Sequence, residues 1–190
     1  QHRSSRRHSM LKELEKELYI DLNPRITSIK ESNSGIAIEI TCNDWNKGAQ
    51  RSFLILTKGV VNCSLSLGSI EYLAWDKKNS ILADYSSPQS ELYFSSSPTD
   101  ILSAIEIMND AHTSFYGSIK NFHSPSISLF RGGHGLLSRG PKELMLTYTE
   151  KLQELMKISI VDTYSPKLKI GVLLLGESYV ICESAEAIDL

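Results

Sequence analysis

The chain reads as an α+β protein: an antiparallel β-meander of about six or seven strands, packed with two main helices at about 98–116 and 141–157, plus a C-terminal β-hairpin. Three observations carry that expectation. Between residues 25 and 95, apolar side chains recur with period two and short turns separate the runs, which pairs neighbouring strands antiparallel. Two later stretches switch to the 3.6-residue period and open on helix-start signals. Finally, 167–175 and 178–183 flank Gly176-Glu177 and are apolar enough for a hairpin buried on both faces.

In chain order, residues 10–20 place Leu11, Leu14 and Leu18 on one face of a short amphipathic helix, and Asn23-Pro24 ends it. Strands follow at 26–31 and 35–42, joined by Ser32-Asn33-Ser34. The second alternates Ile36, Ile38 and Ile40 against Ala37, Glu39 and Thr41. A strand at 51–57 turns at Lys58-Gly59 into 60–67, where Val61, Cys63, Leu65 and Leu67 are expected to face the core. Gly68-Ser69 reads as a two-residue hairpin turn, followed by strands at 70–75, 80–84 and 91–95.

The first main helix is expected to start with Ser97 as its cap, Pro98 in its first turn and Asp100 three residues after the cap. Its buried stripe is Ile101, Ile105, Met108, His112 and Phe115, widened by Leu102 and Ala104, and Gly117 stops it. A short strand is expected at 126–130 and a loop with four glycines at 131–140. The second main helix takes Gly140 as cap and Pro141 as its first residue, with Leu144, Tyr148, Leu152 and Leu155 as its stripe. Residues 158–161 read as a strand.

Composition narrows the function classes. Of 190 residues, 41% are apolar and 22% charged, the proportions of an ordinary folded protein with room for one well-buried core. The longest apolar run, 170–175, is far too short to span a bilayer. Three cysteines, Cys42, Cys63 and Cys182, cannot all pair and read as the reduced thiols of a cytoplasmic protein. Residues 1–9 carry Arg3, Arg6 and Arg7 without apolar periodicity, and read as a vector-derived or disordered tail ahead of a single globular domain at 10–190. Without those arginines, seventeen Lys and Arg face 22 Asp and Glu, a balance of −5 against −2 for the whole chain. Nucleic acid and anionic membrane need clustered positive charge, so neither is the expected partner.

One stretch looks built for a ligand: Arg131-Gly132-Gly133-His134-Gly135-Leu136-Leu137-Ser138-Arg139-Gly140. Amides around Gly133 and Gly135 could cradle a phosphate or carboxylate, Arg131 and Arg139 could clamp it, and His134 could move a proton. Its spacing fits neither G-x-x-x-x-G-K-[ST] nor G-x-G-x-x-G, and a flexible connection between two elements is the more ordinary explanation. His112, His123 and His134 lack the close spacing of metal ligands, so no metal is expected, and no cofactor motif appears. His112 sits in the apolar stripe and reads as a core histidine bonded through one nitrogen. Trp45, in an otherwise polar loop, is either an anchor for a partner protein or a cap folded back on the sheet.

No nucleophile elbow or activated cysteine is present. Glu177, Glu183, Glu186 and Asp189 leave the last twenty residues acidic, with no Lys or Arg. These features lead to a non-catalytic protein-binding module with an acidic surface, such as a toxin-neutralising immunity protein or small regulator. The alternative is an enzyme or sensor holding an anionic small molecule, of phosphate or nucleotide type, at 131–141.

Overall fold

A computed structural model of the chain describes residues 2–18, 20–44 and 48–190, by backbone alone at 2–9 and 20. Trp45 lies outside the described residues. In chain order the elements are α1 (His2–Glu17), a 3-10 turn at Ile20–Leu22, β1 (Arg25–Ser32), β2 (Gly35–Asp44), β3 (Ala49–Lys58), β4 (Asn62–Ser64), β5 (Gly68–Ser69) and β6 (Leu73–Asp76). A 3-10 turn at Ser80–Leu82 leads into α2 (Ala83–Ser86), β7 (Gln89–Phe94), α3 (Ile101–Tyr116), α4 (Ile127–Gly132), β8 (Gly135–Pro141), α5 (Lys142–Leu152) and β9 (Ile158–Asp162). The chain closes with β10 (Gly171–Leu175), β11 (Ser178–Cys182) and β12 (Ser184–Asp189).

The protein is α+β, with three antiparallel sheets of five, four and three strands, two main helices (α3 and α5) and C-terminal strands. Backbone contacts group the chain into two compact units, Gln1–Asn79 with Lys169–Leu190, and Ser80–Leu168. No helix among the described residues is long and apolar enough to cross a membrane.

The first unit holds two sheets, ordered β12-β3-β2-β1-β5 and β4-β11-β10-β6. Strict alternation on β2 buries Ile36, Ile38, Ile40 and Cys42, and β3 answers with Phe53, Ile55 and Thr57. Leu173, Leu175 and Val180 of the second sheet join the same core. Leu11, Leu14 and Leu18 come from α1 and the residue after it, at spacings of three and four. Opposite that helix, β12 presents Ala185 and Ala187, small enough to let it come close. The buried Thr57 hydroxyl is fully satisfied: it accepts from Ile36 N and donates to Ile36 O, each at 3.0 Å.

The second unit centres on a three-stranded sheet ordered β8-β7-β9. Leu92 and Phe94 of β7 point to one face, where Ala104 and Met108 of α3 and Leu144, Met145, Tyr148 and Leu152 of α5 pack on them. Phe94 meets Phe130 of α4 with ring centres 5.8 Å apart.

Several sequence expectations are corrected here. The 60–67 run keeps only β4 as strand, at the edge of its sheet. Val61, Cys63 and Leu67 are exposed, the last at 64%, because a strand with one neighbour loses its pairing within a few residues. Gly68-Ser69 is no hairpin turn. It pairs with Arg25 and Ile26 of β1, a long-range partner that local turn chemistry does not reveal. Residues 80–86 are helical, since the consecutive Ile81 and Leu82 are both buried and a strand would send them to opposite faces. Residues 127–132 form α4, with the Ser126 hydroxyl accepting from Leu129 N at 3.2 Å. The final hairpin continues into β12, which crosses to β3.

Both main helices start later than expected. Asp100, not Ser97, caps α3: its carboxylate accepts from Leu102 N and Ser103 N at 3.0 and 3.1 Å. Ionised Asp is the stronger acceptor, and those amide bonds hold it below its ordinary pKa. Leu102 is consequently 66% exposed instead of widening the buried face, while Gly117 closes the helix as expected, with φ 62°. Pro141 stands at the cap of α5 and Gly140 belongs to β8.

Gly35, at φ 150°, starts β2 where any Cβ would lie 1.8 Å from the Thr57 carbonyl oxygen. A Gly35→Ala change must therefore push β2 from β3 at the Thr57 bond pair. We expect it to cost at least about 2 kcal/mol in urea unfolding, with loss of protection at the Ile36 amide. An unchanged midpoint would show that this approach is not tight.

Candidate functional site

The glycine-rich stretch is not a loop. Arg131 lies in the last turn of α4 and is exposed, and Gly133 caps that helix in the left-handed conformation. The Gly133 amide already donates to Phe130 O at 3.1 Å, and the exposed His134 has its Nδ1 3.1 Å from Gly132 O. Gly135 enters β8 opposite Phe94, and Arg139 stands opposite Glu91 in the same ladder. The glycines are thus spent on the helix-to-strand turn and the strand start. Arg131 and Arg139 belong to different elements, one at the end of α4 and the other well along β8.

What the second unit does assemble is a cleft of about 160 Å³ between α3, β8, α5 and the segment 120–125. Met108, His112 and Tyr116 line it from α3, spaced by four so that they stack along one helix face. Leu144 and Tyr148, again four apart, line it from α5, and Leu137, Ser138 and Arg139 from β8. The deep part is apolar.

Beside it sits a polar cluster. Asp84 of α2 accepts short hydrogen bonds from the Tyr116 hydroxyl and the Lys120 ammonium. The Lys120 Nζ also lies 4.6 Å from the Tyr116 ring centre. Burial and then the Asp84 acceptor push the Tyr116 hydroxyl far above its ordinary pKa, so it remains a donor. His112 Nε2 bonds Lys120 O at 3.0 Å, and its ring packs against Tyr116 and Phe122 with centres 4.8 and 5.5 Å away. A carbonyl only accepts, so Nε2 carries the hydrogen. Burial is the largest influence on this imidazole and lowers its pKa.

Tyr148 differs from its neighbours. The side chain is 1% exposed, burial alone pushes its pKa up to about 12, and no hydrogen-bond partner for its hydroxyl stands among the described residues.

A second feature is the outer edge of β9. Thr163 N donates to Gln89 O and Ser95 N to Lys157 O, each at 3.0 Å, so odd-numbered residues of β9 face β7. The even-numbered Ile158, Ile160 and Asp162 turn their N–H and C=O groups away from it. No backbone partner for those groups stands among the described residues. Nearby, Val161 and Tyr164 are 49% and 63% exposed. The Asp162 carboxylate accepts from Lys142 Nζ at 2.6 Å and from the Ser90 hydroxyl at 2.9 Å, which holds it below its ordinary pKa.

Of the residues singled out from the sequence, Arg139 lines the cleft, and His112 is the core histidine expected of it. The sequence reading passed over Asp84, Tyr116 and Lys120, and took Tyr148 only as part of a buried helix stripe. The four-residue spacing of Met108, His112 and Tyr116 was visible, but Asp84 is joined to them only by folding. Among the described residues, no three His, Cys, Asp or Glu gather as metal ligands would. No protein-family model, curated protein or solved structure matches the chain.

The lowered pKa of His112 makes its folded state shed a proton more readily than the unfolded chain, whose imidazole titrates near 6.5. Its contribution to stability is complete above that value and is lost as pH falls through the folded-state pKa. We expect the urea midpoint to drop on acidification below 6.5, and to drop less in His112→Gln. Parallel pH profiles for the two proteins would refute this.

Proposed function

We propose that the chain is a non-catalytic protein-binding module, a small regulator or immunity-type protein, that takes an extended segment of its partner along the outer edge of β9. One observation carries the reading: β9 is an edge strand with neither proline nor bulge in it. The opposite edge, β8, ends in Pro141, which has no N–H to offer, and its pairing with β7 is interrupted by a bulge near Leu92. On β9 the outward groups of Ile158, Ile160 and Asp162 follow one another regularly, and no proline interrupts them. Such an edge binds a peptide by main-chain hydrogen bonds, while alternate side chains set specificity.

The chemistry of the edge describes the occupant. Ile158 and Ile160 face the core side and Val161 the other, so the added strand carries β-branched or aromatic residues beside them. The overall charge of −2 steers a basic protein toward this chain more readily than an acidic one.

Peptides selected by phage display against the full chain test the proposal. We expect them to slow hydrogen exchange at Ile158, Ile160 and Asp162 and to bind Ile160→Pro at least about tenfold more weakly, a loss of about 1.4 kcal/mol. Proline there removes an outward N–H and leaves the β7 ladder bonded, so circular dichroism should match that of the parent. Val161→Lys, which keeps the backbone, should weaken the same peptides. Peptides that protect other amides and ignore both changes would sink the proposal.

A further inference from the structure

We propose that the cleft between α3, β8 and α5 is a binding site for a small, uncharged aromatic alcohol of the phenol class, oriented by the Tyr148 hydroxyl. Size is the first argument. About 160 Å³ is enough for one six-membered ring, since an apolar cavity of about 150 Å³ accepts benzene. Surface chemistry is the second. Met108, Leu137 and Leu144 are buried and line the cleft, so its deep part favours apolar contact.

The third argument is the state of the polar groups. The Tyr116 hydroxyl and the Lys120 ammonium are committed to Asp84, and His112 Nε2 to the Lys120 carbonyl. Lys120 brings no uncompensated charge, because its carboxylate partner is beside it. The Tyr148 hydroxyl alone among these has no hydrogen-bond partner among the described residues, on a side chain that lines the cleft. A hydroxyl can both donate and accept, so this one is free to bond a ligand either way. A ring bearing one hydroxyl bonds Tyr148 and fills the apolar space in a single step.

The test titrates phenol, toluene and benzoate separately into the full chain, followed by amide shifts in two-dimensional NMR. Phenol should give saturable shifts around Met108, Ser138, Leu144 and Tyr148, at least about fivefold tighter than toluene. In Tyr148→Phe, which keeps the ring and loses the hydroxyl, phenol and toluene should bind equally. Should that variant fail to fold, the phenol-to-toluene ratio and the map of shifts on the parent decide the matter. Tighter binding of benzoate than phenol, shifts mapping elsewhere, or an unaltered phenol-to-toluene preference in Tyr148→Phe would each overturn the proposal.

Discussion

Strand β7 lies between two neighbours, and a strand so placed must pair its backbone groups on both sides. Its even-numbered residues bond toward β8 and its odd-numbered residues toward β9, so one register fixes the whole sheet. From that register follow Leu92 and Phe94 against the helices, Glu91 and Tyr93 on the other face, and Arg139 opposite Glu91. The Tyr93 hydroxyl donates to Glu91 at 2.6 Å, so Glu91 has both a hydroxyl and a guanidinium nearby. The same register leaves β8 and β9 as edges and determines which of their groups face outward. Both the outer edge of β9 and one wall of the cleft are consequences of this arrangement.

The polar cluster beside the cleft follows a different rule. Taking Asp84, Tyr116 and His112 out of water is unfavourable unless each finds a partner, and the partners here come from three separate stretches of chain. Asp84 comes from α2, Tyr116 and His112 from α3, and Lys120 from the segment after it. Lys120 serves twice, through its ammonium to Asp84 and its carbonyl to His112. That double use ties the segment beyond Gly117 to the face of α3 and gives the cleft its rim. Tyr148 stands apart because its hydroxyl has no such partner among the described residues, and the proposed ligand site rests on that difference.

In the first unit the constraint is apolar. Alternating isoleucines on β1, β2 and β3 meet the leucines and valines of β10 and β11, and α1 lies on the small alanines of β12. Side-chain size decides where the helix approaches, and the Gly35–Thr57 contact decides how closely β2 meets β3.

Local physics made much of this legible. Period-two alternation of Ile36, Ile38 and Ile40 required a half-buried strand, and the stripe from Ile101 to Phe115 required a helix, because burying one face depends only on spacing along the chain. Gly117 and the buried role of His112 were likewise readable. Cap choice was not: Ser97 and Asp100 both satisfy the pattern, and only the extended backbone at Asp100, with two amides in reach of its carboxylate, decides between them. Nor could the role of residues 131–141 be read. Four glycines mean freedom, and whether that freedom serves a ligand or a helix-to-strand turn depends on β7 being available to pair. The sequence by itself determined an antiparallel α+β protein with two amphipathic helices, since those follow from residue periodicity. Which strands share a sheet, which strands form its edges and which hydroxyl lacks a partner among the described residues were decided by tertiary structure, because each depends on groups far apart in the chain arriving at the same place.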